Sequence, residues 1–403
     1  MRTVLGIAQF ALIGLFGILP ARAETGLARA FEQAWQRQPA AAAQAERQRA
    51  NAAQLTAASA WLAAPPALEL GARSDRFNRN QGARELDVGV ALPLWLPGER
   101  DGARAVAAAE GEALAGRQAA LRLALAQLVR EAWWGWQSAR NDVELAAFRE
   151  EAARRLRDDV VRRFQAGDLS RADFNQAEGA HALARAQRAE AESGEALARY
   201  RLESLTGEAP PAVAAESEPA PAGSDAVEHP ALRDWQGRAE VARRQAELAR
   251  LQSRANPELA IATRSDRAAD GEPLDRTWAL SLRLPFGGGA RHDARIASAN
   301  AEAIEAEVGR ERERERIERA AVALRQQVAA ARLQLAAAEQ RAQLARDNRG
   351  FYDKSFRLGE SDLPTRLRIE AEAVEAERAL GRARLALALG LSQLRQALGL
   401  LPE

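Results

Sequence analysis

The tetrapeptide Arg-Ser-Asp-Arg occurs twice, at Arg73–Arg76 and Arg264–Arg267, and the chain around it is written twice as well. Pro39 recurs as Pro230, Pro66 as Pro257, Arg100 as Arg291 and Arg104 as Arg295, each 191 residues on. Pro93 recurs as Pro285, Gly167 as Gly359 and Gly207 as Gly399, each 192 residues on. An offset that drifts by one residue over most of the chain marks an internal duplication. The period is far longer than the roughly 20–50 residues of a stacked solenoid repeat. Each copy is therefore a large unit, and whatever one half folds into, the other must repeat and pack against.

Within a copy the hydrophobic period changes twice. Most of the chain is Ala, Glu, Arg, Gln and Leu, strong helix formers. Asp101–Ala166 lacks proline and carries helical spacing at Leu121, Leu125, Leu128 and Ala132. It predicts a rod about 100 Å long at about 1.5 Å per residue. His292–Leu358 repeats it. Each rod runs into a turn holding glycine and acids, Gly167 with Asp168, and Gly359 with Glu360 and Asp362. A second helix follows each turn, Ser170–Leu205 and Asp362–Leu398, and a shorter one precedes each rod, Leu27–Ala64 and Ala231–Ala255. A short helix and a post-turn helix laid end to end nearly match a rod, so two stacked helices against one long one are expected.

Between short helix and rod the period falls to two. Leu68, Leu70 and Ala72 alternate with Glu69, Gly71 and Arg73; Leu86, Val88, Val90 and Leu92 alternate with Asp87, Gly89 and Ala91. The second copy gives Leu259, Ile261 and Thr263, then Trp278, Leu280, Leu282 and Leu284 alternating with Ala279, Ser281 and Arg283. Such alternation predicts strands with one apolar and one polar face. Prolines 65, 66, 93, 97, 257 and 285 stand at the junctions, where a helix must stop or a strand begin. Both copies of Arg-Ser-Asp-Arg read as entrances to the two hairpin loops, which places Ser74 and Ser265 in those loops.

The first 23 residues read as an export signal: Arg2, an apolar run from Val4 to Leu19, and the small-x-small pattern Ala21-Arg22-Ala23 ahead of Glu24. The run is shorter than the roughly 20 residues a membrane-spanning helix needs. Residues 24–208 form the first repeat, 209–229 a Pro/Ala-rich linker, and 230–403 the second repeat. Cysteine is absent, which excludes disulfides, thiolate metal sites and an N-terminal lipid on cysteine. The 57 basic residues nearly balance the 56 acidic ones and are spread among glutamates, an arrangement that argues against nucleic acid as a partner. Gly287–Gly289 lacks the Lys-Ser/Thr of a phosphate loop and reads as a strand-to-helix swivel. Trp133, Trp134 and Trp136 read as packing, and Glu311–Arg319 as a solvated helix face laced by i,i+3 pairs. No pair among His181, His229 and His292 has ligand spacing. No catalytic constellation, metal site or cofactor site emerges, so no enzyme is expected.

Four amphipathic strands cannot close on themselves, and open edges are not tolerated in lipid. Membrane barrels use about eight or more strands, so other copies of the chain must complete the sheet. Glu69, Arg73, Asp87, Ser281 and Arg283 would then line a wet lumen while leucines and valines face lipid. Trp95 and Trp278 would sit near the two membrane interfaces.

In this order (short helix, proline, strand hairpin, "LPLWLPGER" or "LPFGGGAR", long helix, Gly-acidic turn, helix) the duplicated chain resembles the TolC-type outer membrane efflux proteins. The resemblance covers nearly all of the chain after the signal. It implies a mainly α fold with a small β part. Duplicated helical hairpins form a periplasmic α-barrel, and a homotrimer pools its strands into a 12-stranded outer-membrane β-barrel. It also implies a periplasmic adaptor protein docked at the tip, which joins the duct to an inner-membrane pump. Gly167, Asp168, Gly359, Glu360 and Asp362 fall at that tip, where they also read as helix caps. A constriction would involve Asp173, Thr365, Arg366 and Arg368, a mixed rather than purely acidic set. The tip charges are numerous enough that some are expected to hold neighbouring hairpins together. Composition and length sit closest to ducts serving heavy-metal cation pumps, with drug efflux and type I protein secretion as alternatives. A periplasmic adaptor or coiled-coil scaffold fits less well, because this chain duplicates its helical hairpin and carries two proline-bounded strand hairpins.

Overall fold

A computed structural model of the chain describes residues 26–78, 80–211, 217–221 and 229–403. The proposed export signal lies outside the described residues.

The first repeat opens with three short helices, α1 (Gly26–Gln36), α2 (Pro39–Ala42) and α3 (Gln44–Ser59). The single helix expected over Leu27–Ala64 is therefore broken. Pro39 has no N–H to give, and it forces Gln38 into an extended conformation (φ −73°, ψ 132°). The strands β1 (Ala67–Ser74) and β2 (Arg84–Pro93) follow, then the rod α4 (Glu99–Ala166) and its return helix α5 (Arg171–Thr206). The second repeat runs α6 (Pro230–Leu251), β3 (Glu258–Arg267), β4 (Asp275–Arg283), rod α7 (Gly289–Arg357) and α8 (Leu363–Ala397). The rods hold 68 and 69 residues, about 100 Å each at about 1.5 Å per residue.

The four strands form one antiparallel sheet in the order β1-β2-β3-β4. Its two hairpins join through β2 and β3, where Val88 faces Thr263 and Val90 faces Ile261. The second Arg-Ser-Asp-Arg does not open a loop. The strand runs through it to Arg267, and Asp266 pairs with Asp275. Ser265 thus sits inside β3, whereas Ser74 closes β1 as expected.

Below the sheet, α6 and then α8 pack between the two rods, so the expected stacked pair is present. The stack is head to tail: a Cβ on Gly399, just past α8, would meet Pro230 Cδ at 2.6 Å. His229 caps α6 there, its Nδ1 accepting the Ala231 N–H at 3.2 Å. Burial pushes the His229 imidazole below its ordinary pKa, favouring the neutral ring, which can accept a hydrogen bond.

The main apolar core lies at this waist. Leu27, Phe31 and Trp35 of α1 pack on Leu125, Val129, Trp133, Trp134 and Trp136 of α4 and on Leu202 of α5. The three α4 tryptophans are buried, in keeping with their reading as packing residues. The segment read as a linker adds a polar plug to this core. Glu218 is 1% exposed and grips Arg130 through two oxygens, at 2.7 and 3.0 Å. It also pairs with Arg395 at 3.2 Å and accepts from the Ser392 hydroxyl, which in turn accepts from Trp134 Nε1 at 2.7 Å. Arg130 and Arg395 are each 3% exposed. Lone buried charges of this kind would be severely penalised; pairing and hydrogen bonding make them tolerable.

The Glu311–Arg319 stretch makes the expected i,i+3 pairs Glu311–Arg314 (3.3 Å) and Glu313–Arg316 (2.6 Å) and an i,i+4 pair, Glu315–Arg319 (2.8 Å), while Ile317 is buried. No helix among the described residues is long and apolar enough to cross a membrane.

Candidate functional site

The candidate residues named from the sequence lie at two places, the helical tips and the sheet. At the first tip, α4 ends on Gly167 in the left-handed conformation (φ +87°), where a side chain would be strained. Its N–H bonds Phe164 O at 3.1 Å, and the Asp168 N–H reaches back to Arg163 O at 2.9 Å. Gly359 (φ +77°) ends α7 the same way, with bonds to Phe356 O at 3.1 Å and from Glu360 N–H to Ser355 O at 3.0 Å. These paired bonds satisfy the carbonyls orphaned at a helix end.

The return helices are capped just as locally. Ser170 and Asp173 form a reciprocal capping box, the Ser170 N–H donating to Asp173 Oδ2 at 3.0 Å and the Asp173 N–H to Ser170 Oγ at 3.2 Å. Asp362 Oδ1 accepts the Thr365 N–H at 3.0 Å. Hydrogen bonds from the Thr365 side chain, then its amide, hold the Asp362 carboxyl below the usual range. The cap is complete above that depressed pKa and lost as pH falls through it.

The tip charges therefore work on their own helices. Arg368 pairs with Glu372 one turn on, at 2.6 Å, and Asp168 and Glu360 are exposed. Asp173, Asp362 and Arg368 each bond within their own hairpin. Within the protomer, other residues tie one hairpin to the other. Phe356 of α7, 2% exposed, packs with Leu156 and Val160 of α4, Ala177 of α5 and Leu363 of α8. The Arg163 guanidinium lies 4.9 Å from its ring centroid and that of Arg366 5.1 Å. Arg366 is fixed in turn by Asp353 at 2.5 Å. Sequence reasoning missed this clamp: Phe356 stands one turn before a tip glycine, but Arg163 lies 193 residues from it.

At the sheet, the register sorts the side chains cleanly. One face carries Leu68, Leu70, Leu86, Val88, Val90, Leu259, Ile261, Trp278, Leu280 and Leu282. The other carries Glu69, Arg73, Glu85, Asp87, Glu258, Arg264, Asp266, Asp275, Ser281 and Arg283. On this polar face the first arginine of each repeated tetrapeptide flanks β2. Arg73 pairs with Glu85 at 3.3 Å, and Arg264 with Asp87 at 2.8 Å and Glu85 at 2.9 Å. Arg283 pairs with Glu258 at 3.4 Å. The apolar face is bare: Leu70 is 70% exposed, Leu280 72% and Trp278 77%.

Trp95 lies at the opposite, helix-side end of the sheet, half-buried, its Nε1 donating to Ala60 O at 3.0 Å. Two aromatics the sequence reading passed over, Trp61 and Phe286, stand exposed at the strand–helix junctions beside Pro65 and Pro285. The junctions are knotted by Glu99, 2% exposed, which accepts from Leu96 N (3.0 Å), Gln252 Nε2 (2.9 Å) and Asn256 Nδ2 (2.6 Å). Among the described residues no group of three or more His, Asp and Glu could hold a metal ion.

The architecture is that of the outer-membrane channels. The channel CmeC of Campylobacter jejuni matches it with a TM-score of 0.75 at 14% identity, over 99% of this chain and 94% of that one. VceC, an outer membrane protein of Vibrio cholerae, gives 0.71 at 19% identity, over 94% and 97%. CusC, solved in a study of folding and transmembrane channel formation, gives 0.76 at 15% identity, over 94% and 93%. No family model and no curated protein sequence matches the chain. The fold implied by the sequence resemblance is the fold observed.

Proposed function

We propose that the chain is one protomer of a trimeric outer-membrane exit duct of the TolC type, reaching through the periplasm to an adaptor and an inner-membrane pump. The observation that carries this reading is the sheet: an exposed apolar face, a charged face, and two edges, β1 and β4, with no strand among the described residues to pair them. Three copies joined β4 to β1 make 12 strands and abolish the edges. The strands hold 8 to 10 residues, close to the roughly 9–11 of tilted strands that cross a bilayer. Trp278, set toward the loop end, and Trp95 with Trp61 and Phe286 at the helix end then serve as interfacial aromatics.

The enclosed face carries six carboxylates against three arginines per protomer, which favours passage of cations. That excess ranks heavy-metal cations first among cargoes, with drug efflux and type I protein secretion as the alternatives. Gly167, Asp168, Gly359, Glu360 and Asp362 are the adaptor-facing surface of this reading, and Asp173, Thr365 and Arg368 border the closed tip. The test is assembly and conductance together. Light scattering in mild detergent should give a trimer, and planar bilayers in a salt gradient should show a cation-selective reversal potential. A monomer without conductance refutes the duct.

Topology has its own test, since the chain has no native cysteine. Cysteines at Asn78 and Glu272, in the two hairpin loops, are expected to react with an impermeant thiol reagent on intact cells. Labelling only after the outer membrane is broken would invert the molecule.

A further inference from the structure

The apolar face of the sheet does not stay apolar to its end. Its rows run Leu68-Val90-Ile261-Leu280, then Leu70-Val88-Thr263-Trp278, then Ala72-Leu86-Ser265-Arg276, and finally Ser74-Arg84-Arg267. Three arginines thus occupy the two rows nearest the loops, on the outward side. Arg84 and Arg267 stand directly opposite one another across β2 and β3, an arrangement that is repulsive unless an anion shares it. Arg267 is partly offset by Asp270 at 2.8 Å. Arg84 and Arg276 are exposed, and no carboxylate among the described residues pairs with either. The contrast lies on the inward face, where Arg73, Arg264 and Arg283 are each matched to a carboxylate of this chain. Among the described residues, the inward arginines have counter-ions and two outward ones do not.

We propose that Arg84, Arg276 and Arg267 form a belt that binds the phosphate groups of anionic lipid in the outer leaflet. The inference rests on the duct reading, which makes this face the lipid-facing one. Each arginine can lay its aliphatic stem along the apolar band and raise its guanidinium to the headgroup level. A planar fork of donors suits a phosphate better than a point charge does. A trimer repeats the belt around its full circumference, so one lipid layer is gripped on all sides. Trp278, in the row below, sets the depth at which the chains end and the phosphates begin.

The test uses the purified trimer in a neutral maltoside detergent, with native mass spectrometry to count retained lipid. The probes are a diphosphorylated lipid A, the same lipid stripped of phosphate, and inorganic phosphate. The wild type is expected to hold the diphosphorylated lipid about tenfold more tightly than the stripped one, with inorganic phosphate a weak competitor. The double variant Arg84→Gln/Arg276→Gln should lose that margin while its lipid-free trimer dissociates at the wild-type temperature. Arg73→Gln, on the inward face, should keep it. Equal retention by wild type and double variant, or retention indifferent to phosphate, overturns the belt and leaves the duct standing. Loss of the margin in Arg73→Gln alone would mean that the sheet faces the other way and would overturn both. A preparation that never forms a trimer defeats the duct itself, and the belt with it.

Discussion

Truncating Glu218 to alanine is expected to cost about 3–5 kcal/mol, because it strands two buried arginines without their shared carboxylate. Arg130 loses both of its bonds to that side chain and, among the described residues, keeps Gln396 Oε1 at 2.6 Å and the Leu400 carbonyl at 3.1 Å. Arg395 keeps the Pro219 and Leu401 carbonyls, each at 3.3 Å, and Glu403 at 3.1 Å. Trp134 loses the anchor of its own partner, since Ser392 is held by Glu218. Urea melting followed by helical circular dichroism should show the shift. Replacing Glu218, Arg130 and Arg395 together by leucine or methionine should recover much of it, as apolar substitutes for buried ion pairs do. A single variant that melts within about 0.5 kcal/mol of wild type, the range of ordinary surface substitutions, would show that the plug holds nothing.

If the chain is the proposed exit duct, bulky side chains at Gly167 and Gly359 are expected to abolish export while leaving the trimer and barrel of that reading intact. A side chain at either position would point into open space, with no atom within 4 Å of the added Cβ. Any defect must then come from backbone strain or from whatever approaches the tip from outside. Two substitutions separate these causes. Asparagine tolerates the left-handed backbone, whereas tryptophan in that conformation is strained by about 1–2 kcal/mol. If the tip is a docking surface, both Gly167→Asn/Gly359→Asn and the tryptophan pair lose export, and the adaptor fails to co-purify with either. Export that survives in the asparagine pair and fails only in the tryptophan pair reduces these glycines to helix punctuation.

What the sequence disclosed depended on how far its signals reached along the chain. The rods, return helices and four strands were legible because period 3.6 and period 2 are local. The break in the first helix was missed, although Pro39, which causes it, is plain in the sequence. The tip glycines announced their conformation, but the clamp around Phe356 did not announce itself, because Arg163 lies 193 residues from its partner. Glu218 was hidden more deeply. It sits in a Pro/Ala-rich stretch that reads as spacer, and its partners lie 88 and 174 residues away in Arg130 and Ser392. The repeated tetrapeptide read as turn chemistry, yet in space its first arginine grips β2 from both sides. No local rule could supply that, because strand order is a long-range fact.

The rods also bind the two ends of the molecule into one phase relation. Along a straight helix, removing one residue draws the far end in by about 1.5 Å and turns it by about 100°. Such a deletion in α4 alone would swing Gly167 and the Arg163 clamp away from Phe356, while the strands above stayed in register. Removing seven residues from both rods and from the helices beside them would restore the phase to within about 20° and shorten the body by about 10 Å. A change of rod length that keeps the tips in phase is therefore easiest in steps of about two turns, taken by both halves of the duplication at once. The one residue by which α7 exceeds α4 must then be absorbed at the helix ends, where the turns begin.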